Sequence, residues 1–92
     1  MFLSEVCNII KIIKIFNLNK NRKFKTITNS TEIAENSSIL VINSTKFKKQ
    51  FLTKSQKKNI PALITNKYIK EFYNTQFIVK NTNKESLKIM QS

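Results

Sequence analysis

The sequence predicts an α/β fold: a small, mostly parallel or mixed sheet of about four strands flanked by helices. Short apolar runs at residues 39–42 (ILVI), 62–65 (ALIT) and 76–80 (QFIVK) are separated by stretches with helical or turn character. The first of these is four consecutive aliphatics, a pattern normal for a strand covered on both faces at the centre of a parallel sheet. The length, 92 residues, is that of one domain, able to fold alone with little stability to spare.

The elements follow in order. Residues 3–16 read as a helix, because Leu3, Val6, Ile9, Ile10, Ile13 and Phe16 fall on one arc at about 100° per residue. Ser4, Glu5, Asn8, Lys11 and Lys14 fall on the other. Residues 17–23 (NLNKNRK) are a polar connector in which Asn can replace Gly where a helix ends in a left-handed residue. Residues 24–28 form a short strand with Phe24, Thr26 and Thr28 on one side and Lys25 and Ile27 on the other. A polar turn, 29–38, leads into the aliphatic strand.

Residues 44–58 read as a second helix, capped by Ser44 or Thr45, with a narrow stripe of Phe47, Phe51 and Leu52. Pro61 forbids its continuation. Residues 66–73 make a short helix or turn with Tyr68, Ile69 and Phe72 inward. Thr82 and Glu85 form a T-x-x-E capping box that opens a last helix, with Leu87 and Met90 on one face.

Composition limits the chemistry more than it directs it. The formal net charge is +12, carried by 16 Lys and one Arg, beside 12 Asn and no Gly. Such a balance suits a nucleic-acid or anionic-membrane partner. It equally suits compositional drift in an AT-rich coding sequence, and the scarcity of Arg favours drift, since bidentate phosphate recognition uses Arg. Eight lysines and no acid lie between Asn43 and Lys70, without the aromatic alternation that stacks bases.

Without Gly there is no phosphate-cradling loop, and without His or Asp the usual triads, metal sites and imidazole bases are missing. Self-contained catalysis is not expected. The single Cys7 excludes an internal disulfide and a Cys-based metal site, and its place on an apolar helix implies a buried thiol in a reducing, cytoplasmic setting. No apolar run approaches 18 residues, so no membrane span is expected, and the N-terminus lacks the pattern of a signal peptide.

Nearly the whole chain resembles, in order and spacing, the N-terminal domain of the Mur ligases, which attach amino acids to the peptide stem of peptidoglycan precursors. The family domain opens with a Leu-Ser-Glu helix, matched by Leu3, Ser4 and Glu5. A strand running into Thr-Asp-Ser-Arg follows, then a polar stretch and an apolar strand. Here these are ITNST at 27–31, EIAENSS and ILVIN. The family's segment ending in Asp-Gly-His-x-Phe, its Lys-rich helix and its next strand are matched by KFKKQFL, TKSQKKNIP and ALIT. The closing strand and Arg-Lys-Ala-Leu are matched by QFIVKNTNKESL.

The resemblance implies a domain that holds the uridine diphosphate part of a UDP-N-acetylmuramoyl peptide and is not catalytic alone. Ser30 matches the Ser that meets the nucleotide, with Asn29 in place of the Asp and Thr31 in place of the Arg. Gln50 or its neighbour replaces the His, Lys49 replaces the Gly, and Lys46, Lys48 and Lys49 would supply the charge the missing Arg does not. No cofactor is implied for this chain. ATP and Mg would belong to a central domain outside it, and the remaining ligase domains would be its protein partners. The alternative is a small basic α/β module that binds nucleic acid through the lysines of residues 44–58, and a third reading is an interaction domain with no small ligand.

Overall fold

The computed structural model describes residues 1–43 and 52–92. The apolar runs become strands because both their faces find cover. The order is α1 (Leu3–Val6), β1 (Lys14–Phe16), β2 (Thr26–Thr28), β3 (Ser38–Val41), α2 (Lys54–Asn59), β4 (Ala62–Thr65), β5 (Thr75–Ile78) and α3 (Thr82–Met90). The five strands form one mixed sheet in the order β1-β5-β4-β3-β2. Strands β2 to β5 run parallel, and β1 pairs antiparallel with β5.

Every residue of β3, β4 and β5 is buried. Alternation along the strands sends Ile39, Val41, Ala62, Ile64, Phe77 and Val79 to one face, where Leu3, Val6, Ile10, Phe24 and Ile89 cover them. Leu40, Ile42 and Leu63 point to the other, under Leu52, Ile60, Ile69 and Phe72.

The expected helix over residues 3–16 is not what forms. Helix α1 stops at Val6, a turn follows, and Lys14, Ile15 and Phe16 pair with Ile78, Phe77 and Gln76 as a fifth strand. Isoleucine-rich chain fits a helix face or a pleated surface equally, and the open edge of β5 supplies the hydrogen bonds that decide. Ile13, placed on the buried arc by the helical reading, is 67% exposed. Cys7 is half-buried rather than enclosed. The left-handed asparagine is real, at Asn17 with φ 53°, but it ends a strand and not a helix. The Thr75 hydroxyl donates to the Asn17 carbonyl at 2.7 Å and accepts from the Asn19 amide at 3.1 Å.

Helix α2 is capped by Thr53, in a reciprocal box with Gln56. The cap expected at Ser44 or Thr45 and the stripe residues Phe47 and Phe51 lie outside the described residues. Helix α3 is capped by Asn81, whose side chain accepts from the Lys84 amide at 3.0 Å. The expected Thr82–Glu85 box does not form, because the Glu85 carboxylate turns inward to the Lys11 amide and the Lys88 ammonium. The face of α3 turned to the sheet is Thr82, Glu85, Ser86 and Ile89, while Leu87 and Met90 are exposed.

Residues 66–73 are turns, with Ile69 and Phe72 buried. Tyr68 is exposed, its ring resting 4.6 Å from that of Phe16. Gln76 holds this segment down. Fully buried in β5, its side-chain amide accepts from the Ile69 N–H at 2.8 Å and donates to the Ile69 carbonyl at 2.9 Å. Among the described residues no helix is long and apolar enough to cross a membrane.

Gln76→Leu keeps the volume and removes both bonds. Each buried backbone group left unsatisfied costs about 1–3 kcal/mol. Urea unfolding should show that loss as a lower midpoint, and hydrogen exchange should show the Ile69 amide losing protection before the sheet does.

Candidate functional site

Parallel strands deliver their carboxyl ends to one edge of a sheet, where α/β folds collect their ligand-binding loops. Here Thr28, Val41, Thr65 and Ile78 end at that edge. The antiparallel β1 enters from the same edge, with the Ile13 amide on the Ile78 carbonyl at 2.8 Å. The opposite edge is closed. Arg22 spends its guanidinium there, on the carbonyls of Asn36 at 3.2 Å and Asn59 at 3.0 Å, just ahead of β3 and β4. The one arginine is thus structural.

The turn after β2 is set by short bonds. The Ser30 amide donates to Thr28 Oγ1 at 3.0 Å, a hydroxyl-closed turn. The Thr31 carbonyl accepts from Gln56 Nε2 at 2.6 Å, and the same nitrogen reaches the Ala34 carbonyl at 3.3 Å. Asn29 is exposed, and Ser30 and Thr31 are half-buried.

Two clefts flank the first turns of α3. The smaller, about 190 Å³, lies between β2, β3 and α3, and its polar lining is Thr28, Asn29, Asn83 and Ser86. Its size admits one ring-sized fragment, since whole drug-sized ligands occupy roughly 300–1,000 Å³. The Ser86 hydroxyl donates to the Asn83 carbonyl at 3.0 Å, which leaves its oxygen able to accept. The larger, about 540 Å³, lies between β1, β5 and α3, and Lys11, Lys80 and Lys84 line it.

Of the residues expected at a site, Asn29 lines the smaller cleft, while Ser30 and Thr31 stand beside it in the same turn and do not line it. Lys46, Lys48, Lys49 and Gln50 lie outside the described residues. Asn83 and Ser86 are additions from α3. Their signal was the polar run N-T-N-K-E-S directly after an apolar strand, the place where a carboxyl-edge helix begins. Helix α2 carries Lys54, Lys57 and Lys58, and Lys57 pairs with Glu71 at 3.4 Å. No group of three or more His, Cys, Asp or Glu capable of holding a metal occurs among the described residues. The groups gathered here can bind and orient a ligand by hydrogen bonds and charge.

Glu85 joins the two ends of the chain at this edge. Its Oε1 accepts from the Lys88 ammonium at 2.7 Å and from the Lys11 amide at 2.9 Å. The Lys88 bond first, and the Lys11 amide second, hold its pKa below the ordinary carboxylate range against the opposing effect of burial. A lowered folded value means stability present above the unfolded value, roughly 4.3, and lost as pH falls through the folded one. Glu85→Gln should therefore unfold at lower urea than the parent at neutral pH, and the gap should close on acidification below that range. No protein-family model matches this chain, and no curated protein matches its sequence.

Proposed function

We propose that this chain is a UDP-sugar-binding domain of the kind that opens the Mur ligases, taking the uridine end of a UDP-N-acetylmuramoyl peptide beside the Asn29–Ser30–Thr31 turn. The observation that carries the reading is the placement of that turn. It follows the carboxyl end of parallel strand β2 and stands at the rim of a small polar cleft. The order of turn, buried strand, helix and strand in the resembling family supports it as well.

In this reading the Ser30 hydroxyl bonds the nucleotide, and Asn29, Asn83 and Ser86 offer an amide edge and an acceptor to a ring seated between them. Thr31 adds a hydroxyl, and the resemblance assigns Lys46 and Gln50 to the same ligand. Loss of the family's Arg at the Thr31 position weakens the grip on the diphosphate, since a hydroxyl cannot make the bidentate ion contact of a guanidinium. The chain binds without activating. A chain with no Gly cannot build the Gly-rich ATP loop of such ligases, so amide formation would require their central domain.

A UDP titration followed by amide chemical shifts tests the proposal. Saturable shifts should cluster at residues 28–31 and 83–86. Ser30→Ala should weaken binding roughly two- to tenfold, the value of one neutral hydrogen bond. No shifts at millimolar UDP would mean that the nucleotide role is absent.

A further inference from the structure

We propose that the larger cleft, between β1, β5 and the start of α3, is an anion site for a phosphorylated small molecule, distinct from the Asn29 turn and independent of the uridine reading. Its lining brings three lysines together: Lys11 from the chain entering β1, Lys80 from the exit of β5, and Lys84 from the first turn of α3. They come from separate elements, and the fold holds their backbones in place. The Lys11 amide is bound to Glu85, the Lys84 amide is bound to the Asn81 cap, and Lys80 sits in the short link between β5 and α3.

The charge in the cleft is unbalanced. Among the described residues, the lysines with a carboxylate within ion-pair distance are Lys57, on Glu71, and Lys88, on Glu85. Glu85 is the acid in the lining, and its charge is already matched by Lys88. Three ammonium groups thus face one cavity with no free counter-charge. Asn81, the cap of the nine-residue α3, also lines it, so the positive end of the helix adds to the potential.

Volume and wall chemistry narrow the ligand. About 540 Å³ lies within the range of small-molecule sites. Ile12 and Ile13 form an apolar wall, and Ile13 is the most exposed large hydrophobic side chain among the described residues. A phosphate or diphosphate on the lysines, with its organic part against the isoleucines, satisfies both features. Lysines bind as point charges without a guanidinium's planar geometry, so affinity should follow ligand charge: pyrophosphate above inorganic phosphate.

The test is a titration of the full chain with sodium pyrophosphate, then inorganic phosphate, at constant physiological ionic strength, followed by amide shifts. Saturable shifts confined to residues 11–13 and 80–85, with pyrophosphate the tighter ligand, are expected. The double variant Lys11→Gln/Lys84→Gln should bind about tenfold more weakly, the equivalent of one lost charged contact. Ser30→Ala, and Lys54→Gln/Lys58→Gln on the exposed side of α2, should bind as the parent does. Non-saturating shifts spread over lysines generally, or an unchanged affinity in Lys11→Gln/Lys84→Gln, would overturn the proposal.

Discussion

Burial of β3, β4 and β5 on both faces is the constraint on which the rest of the molecule depends. A chain this short has few apolar residues to spare, and three central strands use them on both sides at once. One face is covered by α1, Phe24 and Ile89 of α3. The other is covered largely by irregular chain, through Leu52, Ile60, Ile69 and Phe72. Irregular chain over a core brings polar backbone with it, and that backbone must find hydrogen bonds. Gln76 supplies them to Ile69 from inside the sheet, and Thr75 does the same for residues 17 and 19. No buried side-chain nitrogen or oxygen among the described residues lacks a partner.

The two edges of the sheet divide the remaining tasks. The amino edge is closed by side chains bound to carbonyls: Arg22 to Asn36 and Asn59, and Asn74 to Lys58 and Ile60. These bonds spend the donors that would otherwise suit an anion. The carboxyl edge keeps a polar turn, the start of a helix and three lysines without acidic partners among the described residues. Glu85 spans that edge and ties Lys11 to a helix 74 residues further along the chain.

Particular elements show where sequence reasoning held and where it failed. Strands β3 and β4 and most of β5 were legible because continuous apolar runs flanked by polar breaks have few other uses in a short domain. The Asn29 turn was legible because a polar decapeptide must separate two strands. Strand β1 was not, since its isoleucines satisfy a helical arc as well as a pleat. Nor was the phase of α3. Leu87 and Met90 are more hydrophobic than Thr82, Glu85 and Ser86, yet the latter face the sheet with Ile89. A buried glutamate is invisible to a hydrophobic pattern, because its burial rests on Lys11 and Lys88.

By itself, then, the sequence determined the α/β class, the central buried strands, the polar turn at residues 29–31, and the chemistry closed to a chain without Gly, His or Asp. Tertiary structure alone decided that residues 14–16 are a strand, which face α3 buries, and which lysines share a cleft. Each of these depends on pairs far apart in the chain: Lys14 with Ile78, Lys11 with Glu85, and Lys11 with Lys80 and Lys84. Local pattern records how a segment could fold. The free energy that selects among those options comes from partners that only the closed sheet brings within reach.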